Sequence, residues 1–286
     1  MEKRGLQIDG FLLSAVAAEI RGELTGTRID RVYSASRDSI VIAAGRGRAR
    51  CLVVSASQTA SRVHLTSTPP ASLPEPTPFA MLLRKHLTGG RIVSVRQLGL
   101  DRVLTIQVEG WADVDSSENK LLVAEITGRL SNIVLIDMEE RILDAVRRVD
   151  QSRNRYRELL PGAAYLPPPP MDRINPGEIS TPEAFVAAIR RHALQVHARD
   201  QAQAPVSAQT RAAAQAQMQT RGPAAKRRTS ADGIGAALAQ CFAGIGPTLG
   251  AELAFAAGLD PAQVAIELGD SELLRVWENF SAFVEA

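Results

Sequence analysis

With 286 residues, 45% of them hydrophobic, the chain is long enough for one large domain and a smaller one, with apolar residues enough for real cores. A net charge of only +2 excludes a strong cationic field over the whole molecule, and its Arg-dominated positive charge, though suited to phosphate, is better explained by high-GC coding. Cys51 and Cys241 stand far apart and outside any Cys-x-x-Cys or Cys/His cluster, which argues against a zinc site or a disulfide framework.

The chain opens on a stretch, GFLLSAVAAEIRGEL, whose spacing predicts a helix. Asp9 stands at its N-cap; Leu13, Val16, Ala17, Ile20 and Leu24 form the buried stripe, and Gly26 supplies the stop. Basic residues ahead of an apolar run imitate a signal peptide. Asp9 breaks that run, and Glu19, Arg21 and Glu23 follow too soon for a secretory core or a membrane span, so a cytoplasmic location with no membrane partner is expected. Four strands follow, RIDRVYS, SIVIAA, RCLVVSA and RVHLT, and between two of them Gly45-Arg46-Gly47-Arg48 predicts a tight turn with two exposed guanidiniums. The proline-rich TPPASLPEPTP then carries the chain to the central region.

That region runs from Pro78 to Val149. PFAMLLRKHLTGG places Phe79, Leu82, Leu83 and Leu87 on one helical face, and Gly89-Gly90 ends the helix. RIVSVRQL reads as a strand into the turn Gly99-Leu100-Asp101-Arg102, and VLTIQVE returns with Leu104, Ile106 and Val108 alternating against polar residues. In LLVAEITGRLSNIVLID two apolar strands flank a polar break, Thr127-Gly128-Arg129, and MEERI turns the chain back into ILDAVRRV, which makes a four-stranded antiparallel meander. Residues 1–150 therefore form an α+β arrangement with two antiparallel sheet portions and two main helices. SRNRYRELLPGAAYLPPPPM closes this domain near residue 170, its four prolines stiffening the exit.

Residues 171–286 read as a helical domain. TPEAFVAAIRRHAL is a short helix with Thr181 at its cap and Pro182 at its first position. From about 198 to 230 the chain is Ala, Gln, Arg and Ser with few large apolar residues, a mobile low-complexity insert ending in Lys226-Arg227-Arg228. The stretches IGAALAQCF and PTLGAELAFAAG flank Gly244-Ile245-Gly246, the form of a helix-hairpin-helix whose turn amides hold a phosphate or, equally, of a structural hairpin. SELLRVWENFSAFVE is an amphipathic helix suited to cover its apolar face.

Four motifs in order, MLLRKHLTGGRI, GLDR, EITGRLSNIVLID and SRNRYRELLPGAAYLPPP, resemble the N-terminal region of the NFACT family, proteins of ribosome-associated quality control also named fibronectin-binding protein A in bacteria. The likeness extends to LQIDGFLLSAVAAEI and to FAGIGPTLGAELAFAAGLDP. It implies an architecture similar to the formamidopyrimidine class of DNA glycosylases, with a sandwich-like N-terminal domain and a helical one. It also implies binding to tRNA and to a large ribosomal subunit that carries a stalled nascent chain. In that reading charged tRNA, alanyl-tRNA in bacteria, is recruited for template-free C-terminal tailing, and a coiled coil and a further domain normally follow, so this chain is expected to be an N-terminal fragment or a short member. Carried over by motif, the contact residues are Asp9, Asp101 and Arg102, then Glu125 and Ile126, with Arg129 beside them. Each has a purely structural alternative: Asp9 as a cap, Asp101 as a turn residue, Glu125 as the partner of Arg129. Thr127 and Leu130 depart from the family's usual Met and His.

No enzyme is expected. The glycosylase nucleophile is an N-terminal proline, whereas this chain begins Met1-Glu2-Lys3 and has no proline before Pro69. His64, His86, His192 and His197 show no metal-ligand spacing, and phosphate loops are absent, so neither cofactor nor metal is expected. The rival readings are a fibronectin-binding adhesin and a catalytically inactive, glycosylase-like DNA-binding protein.

Overall fold

The computed structural model describes residues 8–45, 50–110, 119–215 and 232–285, by backbone alone over 200–215. The GRGR turn at 45–48 and the basic triplet at 226–228 lie wholly or largely outside those residues. Two compact units are present, Met1–Met171 and Asp172–Ala286.

The first unit is α+β. Helix α1 (Gly10–Leu24) starts at Asp9, whose side chain accepts from the Leu12 amide, and it buries Gly10, Leu13, Ala17, Ile20 and Leu24. Gly26, with φ of 82°, lets the chain reverse into the first sheet. That sheet is an antiparallel meander of β1 (Ile29–Ser36), β2 (Ser39–Ala44), β3 (Arg50–Ser55) and β4 (Arg62–Thr66). Helix α2 (Pro78–Leu87) is capped by Thr77, which accepts from the Ala80 amide and shares a hydroxyl hydrogen bond with Ser34 of β1. The second sheet runs in order through β5 (Arg91–Gln97), β6 (Val103–Glu109), β7 (Lys120–Glu125), β8 (Asn132–Asp137) and β9 (Ile142–Ala145). It has five strands, one for each segment read from the sequence and one more than the count of four given there; the last, ILDA, is a short edge strand joined to β8 across a bulge.

One core serves both sheets. Leu13, Ile20 and Leu24 of α1 and Phe79, Leu83 and Leu87 of α2 pack with Val32, Ile42 and Leu52 of the first sheet and Leu104, Ile106 and Leu122 of the second. Arg147 braces the two sheets: its guanidinium donates to the carbonyls of Ala56 and Ser131 and pairs with Asp38 at 2.9 Å. The opposite face of the second sheet carries Val103, Val123, Val134 and Ile136, covered by Leu159 and Tyr165 from the closing segment.

The second unit is helical. Helix α3 (Pro182–Gln215) runs 34 residues, so the helix continues into the Ala/Gln-rich stretch as far as 215. Alanine is the best helix former and Gln a good one, which suffices for backbone helix without an apolar face. Helices α4 (Ile234–Cys241), α5 (Pro247–Ala256) and α6 (Asp270–Glu285) complete the unit. Phe185, Phe242, Trp277 and Phe280 bring ring centroids within 4.6 to 5.9 Å of one another and form its centre.

Helices α4 and α5 touch through backbone: a Cβ added at Gly250 would sit inside contact distance of the Gly235 carbonyl oxygen. Gly250→Ala is therefore expected to destabilise the second unit by about 1–3 kcal/mol. Gly22→Ala, on the exposed face of α1 with nothing within 4 Å of the new methyl, is expected to stabilise the first by about 0.5–1 kcal/mol. Urea denaturation of the two variants reads both signs.

Candidate nucleic-acid interface

The β5–β6 hairpin ends in a turn built on Gly99, whose φ of 52° is open to glycine at little cost. The Asp101 amide donates to the Leu98 carbonyl at 2.9 Å and the Leu98 amide to the Val103 carbonyl at 3.0 Å, which closes the tip. Gln97, the last residue of β5, then joins two distant parts of the chain. Its Nε2 donates at 2.9 Å both to the carbonyl of Gly10, in the first turn of α1, and to that of Asp101. One side-chain amide thus sets the start of α1 against the hairpin tip.

Arg102 is half-buried between them. Burial lowers its pKa, and the carboxylates of Asp9 and Asp101 act against that fall. Asp9, Asp101 and Arg102, spread over more than 90 residues of sequence, therefore form one electrostatic group. A guanidinium so flanked keeps its charge and its planar donor fork. The three together carry a formal charge of about −1 at neutral pH, so the group suits polar atoms of a base or sugar better than a bare phosphate.

Glu125 and Ile126, carried over as contact residues, are both buried. Glu125 is 0% exposed. Both of its oxygens accept from Arg157, at 2.6 and 2.7 Å, and Oε1 also accepts from the Tyr165 hydroxyl at 2.9 Å. Arg157, itself 8% exposed, is the ionic partner of Glu125; Arg129 is exposed on the 3₁₀ turn Gly128–Leu130 and makes no ion pair among the described residues. Burial works against the charge on Arg157, and the hydrogen bonds and charge of Glu125 outweigh it, so its pKa is raised. Burial first, then the neighbouring Glu125, also hold the Tyr165 phenol well above its usual range. Ile126 is 1% exposed, and its amide donates to the Arg102 carbonyl at 2.8 Å. Ile126 bonds the backbone of the turn at Arg102, and Glu125 pairs with Val103, the first residue of β6.

Sequence reasoning missed Arg157, Tyr165 and Gln97 as the residues that position this site. Arg157 and Tyr165 belong to the quoted SRNRYRELLPGAAYL run, where an arginine and a tyrosine at fixed distance before a proline tract were the available signal. Nothing in the sequence marks Gln97 out.

Gly244, Ile245 and Gly246 lie in the second unit, in the link between α4 and α5. Gly244 is buried with φ of 76°, Ile245 is 1% exposed, and only Gly246, the residue before α5, is partly open. No side chain caps the N-terminus of α5. A cavity of about 50 Å³ in the same unit, lined by His192, Val196, His197, Asp232 and Val264 among others, has room for about one or two waters. Among the described residues no group of three or more His, Cys, Asp or Glu is arranged to hold a metal, and no helix is long and apolar enough to cross a membrane.

Comparison with known proteins gives a consistent result. The family model for NFACT N-terminal and middle domains matches residues 9–208. The Rqc2 homolog RqcH of Streptococcus suis is 35% identical over 182 residues, 63% of this chain and 33% of that protein. That of Bacillus subtilis is 34% identical over 177 residues, 61% and 31% respectively. The human ribosome quality control complex subunit NEMF is 33% identical over 153 residues, 53% of this chain and 13% of that one. Among solved structures, the N-terminal part of the fibronectin/fibrinogen-binding protein of Streptococcus suis matches with a TM-score of 0.67 and 28% identity over 97% of this chain and 84% of that one. The N-terminal domain of fibronectin-binding protein PavA of Streptococcus pneumoniae gives 0.65 and 27% over 97% and 83%. The chain spans about a third of the length of the bacterial relatives it matches.

Removing one partner of the buried pair strands the other. Arg157→Ala is expected to cost the first unit about 3–5 kcal/mol, and the double change Glu125→Leu/Arg157→Met much less, because no uncompensated charge remains inside. Arg129→Ala, at an exposed site, is expected to stay within about 0.5 kcal/mol of the parent. Chemical denaturation followed by circular dichroism separates the three; equal midpoints for Arg157→Ala and Arg129→Ala would show that the pair contributes nothing.

Proposed function

The chain belongs to the NFACT family, and on that premise we propose that it is a tRNA- and large-ribosomal-subunit-binding factor of ribosome-associated quality control. In this reading it recruits charged tRNA, alanyl-tRNA, to a subunit obstructed by a stalled nascent chain, and the tail is added without a template. The ribosome supplies the peptide-bond chemistry, while the protein supplies binding and orientation in the cytoplasm. It is not an enzyme in its own right and uses no cofactor. Residues 1–170 serve as the tRNA-engaging domain. Residues 171–286 act as a helix-hairpin-helix domain whose Gly244–Gly246 turn meets backbone phosphate, an arrangement analogous to formamidopyrimidine DNA glycosylases.

The observation that supports this reading best is the group formed by Arg102 with Asp9 and Asp101 at the rim of the second sheet. Non-specific phosphate binding needs an excess of cations, and the chain has a net charge of only +2. Selective contact to unpaired nucleotides needs instead a pre-oriented donor fork with acceptors beside it. Arg102 supplies the donors. Asp9 and Asp101 supply acceptors for exocyclic amino groups or ribose hydroxyls, and Arg129 adds an exposed charge nearby. Glu125 and Ile126 contribute by holding Arg102 in place. A second reading, fibronectin binding, rests on the names of the two matched streptococcal structures.

Filter or anisotropy binding to purified tRNA and to matched duplex DNA across a salt series tests the proposal. The chain is expected to prefer tRNA, and Asp101→Ala/Arg102→Ala to weaken tRNA binding by about tenfold or more with little change in the melting midpoint. Equal affinity for tRNA and DNA that the double substitution leaves untouched would overturn it. Surface-immobilised fibronectin, run with the same proteins, distinguishes the second reading.

A further inference from the structure

The segment from Asp150 to Glu158 is a surface loop that the fold has already ordered. Its ends are zipped by reciprocal backbone hydrogen bonds between Val149 and Leu159, at 3.2 and 2.7 Å. Inside it, the Asp150 side chain accepts from the Ser152 hydroxyl at 2.6 Å and the Arg153 amide at 3.2 Å, while the Asp150 carbonyl accepts from the amides of Arg153 and Asn154. The Asn154 side chain accepts from the amides of Tyr156 and Arg157. Arg157 then drives inward and is fixed by Glu125 and by the Leu166 carbonyl. Such a loop has little conformational freedom left to lose on binding.

Among the described residues, what this scaffold presents outward is held by no ion pair, and only Asp150 of the loop itself bears on the charge of Arg153. Arg153 and Arg155 are exposed and form no ion pair among the described residues, and Tyr156 is 52% exposed although its neighbour Arg157 is almost wholly buried. The loop lies at the same end of the second sheet as the hairpin tip. Glu125, which holds Arg157, pairs with Val103 next to Arg102 and with Asn132 on the far side, and Asn132 in turn holds the Arg147 backbone from which the loop departs. Cation, cation and aromatic in the order Arg153, Arg155, Tyr156 match the requirement of an unpaired nucleotide: a flat apolar face for the base and guanidiniums for the phosphates on either side.

We propose that this loop is a second RNA-contact element, in which Tyr156 stacks on an unpaired base while Arg153 and Arg155 neutralise the adjoining phosphates. The proposal rests on the RNA-binding reading above and adds to it an element that reads single-stranded character, where the Arg102 group reads polar edges.

The test uses the whole chain with two probes, a labelled RNA stem-loop with a seven-nucleotide loop and a fully paired RNA duplex of the same stem. Tyr156→Ala is expected to weaken stem-loop binding at least about fivefold and duplex binding less than about twofold, with Tyr156→Phe indistinguishable from the parent. Arg153→Ala/Arg155→Ala is expected to weaken both probes and to flatten the slope of log affinity against log salt by about one to two. If stem-loop binding is lost in Asp101→Ala/Arg102→Ala but indifferent to Tyr156→Ala, or if Tyr156→Ala weakens both probes equally, the loop is not a stacking element and the RNA-binding reading survives without it. A parent chain that binds neither RNA overturns both. Because Tyr156 is half exposed, unchanged thermal midpoints in these variants tie any loss to the interface.

Discussion

The buried ion pair between Glu125 and Arg157 is the interaction from which the working end of the first unit takes its geometry. Two charges are removed from water at considerable desolvation cost, and the arrangement holds because the contact is bidentate and the Tyr165 hydroxyl adds a third hydrogen bond. Hydrophobic residues of similar volume would serve stability as well. What the pair adds is direction: Arg157 has one place to go, so the closing segment crosses the outer face of the second sheet in one register, with Leu159 and Tyr165 seated over Val103, Val123 and Val134.

Two surface features then follow from one interior contact. On the inner side, β7 ends with the Ile126 amide bonded to the Arg102 carbonyl, which sets the base of the hairpin tip. On the outer side, the backbone that delivers Arg157 must turn just before it, and that turn is the loop displaying Arg153, Arg155 and Tyr156. Gln97 and Arg147 complete the frame, the first joining the tip to α1 and the second joining the two sheets through Asp38, Ala56 and Ser131. A site assembled from α1, a hairpin, a strand end and a closing loop gains precision when each piece is tied to the next by hydrogen bonds rather than by apolar contact alone, since apolar packing is non-directional.

Where the pattern of apolar residues was regular, the sequence was a good guide. Leu104, Ile106 and Val108 declared β6, Leu13, Ile20 and Leu24 declared α1, and Gly89-Gly90 and Gly99 marked real reversals. Legibility failed where one residue's role depends on another far along the chain. Glu125 at the end of an apolar strand looked like a surface acid because its natural local partner, Arg129, was four residues away; the true partner is 32 residues on. Burial of a charge cannot be read locally, because it is decided by what folds over it. The same holds for Asp9 and Arg102, whose adjacency depends on how α1 meets β5. The edge strand was legible too: ILDAVRRV contains β9, and the meander that was counted as four strands has five because both arms of the first hairpin belong to it. Past residue 198, composition argues against a core but permits helix, and the backbone is helical through Gln215 because Ala and Gln need no core to adopt helical backbone.

Charge sets a final constraint on how such a surface can work. With a net charge of +2, the chain cannot rely on a long-range field to gather nucleic acid, and the Arg102 group carries more acid than base. Its best-placed cations are divided instead. Arg147 and Arg157 are spent on structure, Arg102 is flanked by carboxylates, and Arg129, Arg153 and Arg155 remain facing solvent. A surface of that kind gains little from counterion release and most from short-range, directional contact. In the proposed reading this favours a partner already delivered close by, as on a ribosomal subunit, over capture of free RNA from solution. Selectivity then comes from geometry held by the Glu125–Arg157 pair, and weak general attraction becomes an advantage, because it leaves the abundant paired RNA of the surroundings unbound.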